Sequence, residues 1–179
     1  MWRRKLGLSS AWKDGTGALH NRVTMLMQSV DVDYCIFYRE LSNCPHLLEN
    51  RAFLNLTDRE LLTPLLSAFF DSNVSDAVLA KWAEWLRDWL KQLSIENTNL
   101  AATSTSMKRT NPKYIPREWM LVEAYEAAYN NDFEPLHTLE KLFALPYDEQ
   151  PEFHSRFYKL SNLSALLNQP GTAFMSCSS

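Results

Sequence analysis

Apolar residues recur along this chain at intervals of three and four, a spacing that admits helices and little sheet. It is plainest in Leu79, Trp82, Leu86, Trp89 and Leu93, one continuous stripe that Trp85 and Leu90 widen. Four glycines are few and six tryptophans are many, which favours the same all-α class. At 179 residues, 46% of them hydrophobic, the chain can bury one sizeable core, so a single helical domain over residues 1–179 is expected. The stripes place helices near 18–30, 33–41, 58–70, 76–93, 117–130 and 134–144.

Leu19, Val23, Leu26, Met27 and Val30 line one helical face after a turn at Asp14-Gly15-Thr16-Gly17. Asp31 is placed to cap a short helix that buries Tyr34, Phe37, Tyr38 and Leu41, with Arg39 beside them. Thr57-Asp58-Arg59-Glu60 has the form of a capping box, and Pro64 predicts a kink or a short 3₁₀ turn soon after it. Three tryptophans on the 76–93 helix suit a core stripe better than a partner groove. Lys81, Glu84, Arg87, Asp88 and Lys91 alternate in sign as a solvated face does. Residues 94–110, rich in Ser, Thr and Asn and without periodicity, read as a flexible main loop.

Lys108 to Phe153 reads as an αα-hairpin between prolines. Pro116 suits a first helical position, Leu121, Tyr125, Ala128 and Tyr129 supply an apolar stripe, and Asn130-Asn131-Asp132 ends the helix. Pro135 opens a second helix with Leu136, Leu139, Leu142 and Phe143 inward, and Pro146 forbids its continuation. Lys108, Arg109, Lys113 and Arg117 form a basic cluster in front of the hairpin, a candidate contact for an anion or for an acidic surface of another domain, against the alternative of a solvated loop. Residues 155–167 permit one or two further amphipathic turns, and the tail 168–179 is not expected to fold alone.

The chemistry that the sequence excludes is broad. A net charge of −3 argues against general nucleic-acid affinity, and no apolar run approaches the ~20 residues of a membrane span. Met1-Trp2-Arg3-Arg4-Lys5 is not followed by a secretory apolar segment, so a cytoplasmic location is expected. Cys35, Cys44 and Cys177 make no disulfide framework, and Cys44 with His46 falls short of the three or four ligands zinc needs. Thr57 and Ser75, each the hydroxyl residue of a glycosylation sequon, are better explained as helix caps. No glycine-rich phosphate loop, HRD, DFG or GxSxG phrase occurs, and the histidines at 20, 46, 137 and 154 have no ligand spacing. No catalytic, cofactor-binding or metal-binding residue is therefore assigned, and no cofactor is expected within the chain.

A resemblance adds what spacing cannot. Asn111-Pro112-Lys113-Tyr114, Arg117, Asn131-Asp132-Phe133, Leu139, Leu142, Pro146-Tyr147-Asp148-Glu149-Gln150-Pro151-Glu152 and Ser176-Cys177-Ser178-Ser179 resemble the C-terminal end of the SelO (selenoprotein O) family. Lys5-Leu6-Gly7-Leu8, Leu26-Met27, Asp33-Tyr34 and Tyr38-Arg39 extend the match. The chain departs from it at Cys35, where threonine is usual, and at Leu160-Ser161-Asn162-Leu163, where prolines and a tryptophan are usual. The resemblance implies a C-terminal extension of a protein-kinase-like fold. Family members are protein adenylyltransferases, which use ATP and magnesium to transfer AMP to protein Ser, Thr or Tyr hydroxyls. A two-lobed enzyme would not fit in this length, so the groups that hold ATP and metal are expected before Met1. The implied partner is the missing kinase-like part or another protein surface, and the alternative is a stand-alone helical interaction module without catalysis. Cys177 aligns with the position that animal members fill with selenocysteine. The resemblance gives it a redox role, and as a tail thiol it is expected to react ahead of Cys35 and Cys44.

Overall fold

A computed structural model describes residues 2–8, 16–71, 73–96 and 99–159, most of them helical. The helices are α1 (Trp2–Lys5), α2 (Thr16–Ser29), α3 (Tyr34–Leu41), α4 (Asp58–Leu62), α5 (Asp76–Glu96), α6 (Leu100–Lys108), α7 (Glu118–Tyr129), α8 (Glu134–Ala144) and α9 (Pro151–Phe157). Two 3₁₀ segments, Cys44–Leu54 and Thr63–Ala68, complete the set. Among the described residues there is no strand, only an isolated antiparallel bridge between Val32 and Phe69. The all-α class holds, and the chain gathers into two compact units, Met1–Asn111 and Pro112–Ser179.

The first unit is built around α5. Its stripe of Leu79, Trp82, Trp85, Leu86, Trp89, Leu90 and Leu93 is buried. Phe37 lies 5.3 Å from Trp82 and 5.7 Å from Trp85, centroid to centroid, and Phe69 lies 5.2 Å from Trp82. A buried indole N–H usually finds an acceptor, and two of the three on this helix do. Trp85 Nε1 donates to the Leu19 carbonyl at 2.8 Å and Trp89 Nε1 to the Leu6 carbonyl at 2.9 Å. The tryptophans are core, as their helical spacing predicts. The charged face of α5 is more than solvated: Arg87 pairs with Asp58 at 2.7 Å, and Asp88 accepts from Arg22 at 2.8 Å. The capping box forms, with Thr57 and Glu60 exchanging bonds, and the backbone tightens to 3₁₀ at Thr63, with Pro64 in its first turn.

Two local expectations are corrected here. Asp33, not Asp31, caps α3, its carboxylate accepting from Ile36 N at 2.9 Å. The stretch 94–110 is not a loop, because α5 runs on to Glu96 and Leu100–Lys108 is a helix. Asn99 caps it by accepting from Ala102 N at 2.9 Å, and Thr103 and Met107, one turn apart, are its buried side. Its hydroxyls do not compete with the helix. Thr103 and Thr105 donate to the carbonyls four residues back at 3.0 and 2.9 Å, and Ser104 donates to the Ser42 carbonyl at 2.6 Å.

In the second unit α7 ends in a Schellman motif. Asn131, at φ 63°, takes the left-handed position, its N–H bonding the Ala128 carbonyl while Asp132 N bonds the Ala127 carbonyl. The hairpin follows, with Leu139 and Leu142 of α8 buried. The inward face of α7 differs from expectation: Met120 and Ala124 are buried, whereas Tyr125 and Tyr129 are 66% and 90% exposed. Helical periodicity fixes that a stripe exists, but two apolar stripes compete on α7, and the smaller side chains lie inward. A further helix, Pro151–Phe157, begins earlier than the amphipathic turn expected at 155. Residues 160–179, and with them the tail, lie outside the described residues.

Candidate functional site

The residues that carry the resemblance gather into polar fasteners, one set in each unit. In the first, Lys5-Leu6-Gly7-Leu8 ends α1. Gly7 N bonds the Arg4 carbonyl and Leu8 N the Arg3 carbonyl, so Gly7 holds the left-handed place of a Schellman cap at φ 67°. A Cβ on Gly7 would lie 2.6 Å from Met107 Sδ and 2.9 Å from its Cγ, so glycine is required for both backbone and space. The Lys5 carbonyl accepts from Asn111 Nδ2 at 3.1 Å, and the same amide group donates to Ser42 Oγ at 3.3 Å. Arg39, 2% exposed, donates to the carbonyls of Lys108 and Asn111, both at 3.2 Å. Those carbonyls lie at and just beyond the C-terminus of α6, where the helix dipole favours a cation. Tyr38-Arg39, Asn111 and Lys5-Leu6-Gly7-Leu8, far apart in sequence, thus meet around the end of one helix.

The second set joins Asn111-Pro112-Lys113-Tyr114 to Pro146–Glu152, through residues of the second unit. Lys113 N and Tyr114 N both donate to the Pro146 carbonyl, at 2.8 and 3.1 Å. Lys113 Nζ donates to the carbonyl and to Oε2 of Glu149, each at 2.8 Å, and lies 5.5 Å and 5.4 Å from the ring centroids of Tyr114 and Tyr158. The Tyr114 hydroxyl is shared between the carbonyls of Glu149 and Gln150, 3.0 Å from each. Gln150 Nε2 in turn donates to the carbonyls of Leu142 and Leu145, closing the end of α8, while its backbone at φ 38° turns the chain into α9. Pro151 then takes an early helical position, where its missing N–H leaves nothing unpaired.

Of the four cations expected to form one cluster, Lys108 and Arg109 belong to the first unit and Lys113 and Arg117 to the second. Arg109 is exposed. Lys113, with only 8% of its side chain exposed, is engaged inside its own unit. The roles of Arg39, Tyr114 and Gln150 escape sequence reasoning. An arginine inside an apolar stripe is the one signal that points to Arg39.

Titratable groups elsewhere in the first unit are shifted by burial. Lys5 Nζ lies 5.0 Å from the ring centroid of Tyr34 and 5.2 Å from that of Tyr38. Desolvation lowers the Lys5 pKa, opposed by Cys35, and burial with the Cys35 charge pushes the Tyr34 phenol up to about 12. Burial, aided by Glu40, pushes the Cys44 thiol far up, so it stays protonated and unreactive. Cys35 is half-buried, and Cys177 lies outside the described residues. Among the described residues no three His, Cys, Asp or Glu side chains gather as a metal site, and no helix is long and apolar enough to cross a membrane.

A family model described as protein adenylyltransferase SelO matches residues 1–144. The chain belongs to the SelO family. It is 32% identical over 151 residues to the protein nucleotidyltransferase YdiU of Stutzerimonas stutzeri (strain A1501), covering 84% of this chain and 27% of that protein. It is 34% identical over 152 residues to the YdiU of Azotobacter vinelandii (strain DJ), covering 84% and 27%. The YdiU of Nitrosospira multiformis is 29% identical over 194 residues, which takes in 100% of this chain and 34% of that relative. The chain spans about a quarter to a third of the length of these curated SelO relatives. The SelO match reaches through α8 and takes in the Gly7 cap and the Arg39–Asn111 node.

Proposed function

We propose that this chain is the C-terminal helical extension of a SelO-type protein adenylyltransferase, a family that uses ATP and magnesium to move AMP onto protein Ser, Thr or Tyr hydroxyls. In this reading the kinase-like part, which holds nucleotide and metal, is its partner, and residues 1–179 position rather than catalyse. The observation that carries it is the use made of the resembling residues. Arg39, Asn111, Lys113 and Tyr114 are all engaged with main-chain carbonyls or structural side chains of their own unit. A side chain that must meet phosphate in the transition state needs donors aimed at open space. Of the basic residues in front of the hairpin, Arg109 is exposed and is the candidate for contact with an anion or a neighbouring domain.

Isothermal titration of the chain with ATP and magnesium tests this reading. No stoichiometric heat is expected, and a one-to-one site of micromolar affinity would overturn it. We also assign the redox role of the family to Cys177. Cys44 is withdrawn by burial, so footprinting with a limiting thiol reagent is expected to label Cys177 first; faster labelling of Cys35 or Cys44 would remove that assignment.

A further inference from the structure

The outward face of α7 is left aromatic and acidic. Val122, Tyr125, Glu126 and Tyr129 share it by three- and four-residue spacing, and Phe133, 49% exposed, lies just beyond the turn. Residues 112–179 carry nine Asp and Glu against five Lys and Arg, although the whole chain is nearly balanced. Glu118 and Glu126, which share that face by spacing, and Glu134, at the start of α8, take no part in the ion pairs that close the unit, Lys113–Glu149 and Arg156–Glu123. Tyrosine rings framed by carboxylates suit arginine and lysine, which stack on the ring and pair with the carboxylate in one approach.

We propose that this face docks a basic, partly apolar segment of a separate protein, the class of substrate on which SelO-type enzymes act. The proposal rests on the protein-directed reading above. Phenol hydroxyls and glutamates keep the face wettable when vacant. That composition fits a partner that comes and goes, whereas permanent interfaces are more apolar. Tyr125 and Tyr129 then supply the aromatic anchors, and Glu118, Glu126 and Glu134 select positive charge and speed encounter.

The test uses the full chain and a random peptide library displayed on phage. Enrichment of sequences combining Arg or Lys with apolar residues is expected. Their synthetic versions should lose at least ten-fold in affinity to Tyr125→Ser/Tyr129→Ser and to Glu126→Gln/Glu134→Gln, while circular dichroism of both variants stays unchanged. Enrichment of acidic or uncharged peptides, no enrichment, or binding indifferent to these variants would overturn the proposal. Two further measurements address other occupants. A concentration-dependent dimer in sedimentation that the tyrosine variant abolishes would give the face to a second copy. Resistance of Tyr125 and Tyr129 to nitration in the free chain would show it already covered by the chain itself. Either result would also overturn the proposal. None of these readouts involves nucleotide, so failure here is separable from failure of the adenylyltransferase reading.

Discussion

Residues 1–111 bury three tryptophans along one long helix, whereas the described part of residues 112–179 buries a short hairpin core and keeps several of its aromatics exposed. The first unit gains its order mainly from apolar area removed from water, and its polar bonds satisfy part of what that burial would orphan. In the second, the buried set among the described residues, Tyr114, Met120, Ala124, Leu139, Leu142, Phe157 and Tyr158, is smaller and offers less area. There the chain is held by directed bonds from Lys113, Tyr114 and Gln150 to main-chain carbonyls. A small unit with a thin core depends on such fasteners because it buries a smaller share of its surface. The comparison explains why the longest phrases of the SelO resemblance fall in the second unit: directed bonds demand particular residues, whereas a core accepts many apolar ones.

The largest effect should separate the units. Trp85→Ala removes a ring packed on Phe37 and Trp89 together with the indole bond to the Leu19 carbonyl, which is expected to cost about 3–5 kcal/mol. Urea denaturation followed by far-UV circular dichroism, with exchange mass spectrometry assigning segments, should show residues 2–96 lost before 112–159. Simultaneous loss of both would break the two-unit comparison.

The two Schellman caps allow a sharper test. Gly7→Ala places a Cβ at a left-handed position and against Met107, and should cost about 1–2 kcal/mol or more. Asn131→Gly, at the matching place in the second unit, should change stability by less than about 0.5 kcal/mol, since either residue adopts that conformation. Thermal melting of both variants decides whether the caps are as unequal as their surroundings.

A further small effect is a pH dependence. Partial burial pushes the Asp88 carboxyl up, but hydrogen bonds and charge from Arg22 and Lys91 outweigh it and hold the pKa below the usual value. A carboxylate depressed in the folded state adds stability that is present above its unfolded pKa and lost as pH falls through the lower folded value. The pair is partly exposed, so Asp88→Asn is expected to cost under about 1 kcal/mol near neutrality and nothing measurable in acid below the folded pKa. A cost that persists at low pH would assign Asp88 a packing role instead.

How much of this was legible in the sequence depended on whether the governing physics was local. The α5 stripe, the Thr57 box and the 3₁₀ turn at Pro64 are set by neighbours within a few residues, and all appear where spacing places them. The helix Leu100–Lys108 was hidden because its hydroxyls mimic a loop until back-bonding to carbonyls is considered. The inward face of α7 was misjudged because tyrosine counts as apolar in a stripe, yet Met120 and Ala124 pack closer. The fasteners were legible only as motifs. Nothing in Asn111-Pro112-Lys113-Tyr114 says that its hydroxyl and ammonium meet Glu149 from 35 and 36 residues away.

The claim that resembling residues fasten their own unit is tested most directly by hydrogen–deuterium exchange on the intact chain and on Tyr114→Phe. The substitution removes only the hydroxyl shared between Glu149 and Gln150. Amides of residues 146–157 should exchange roughly five-fold faster, as the loss of about 1 kcal/mol implies, while those of α5 stay unchanged. Unaltered exchange at 146–157, or an equal change throughout α5, would contradict the account.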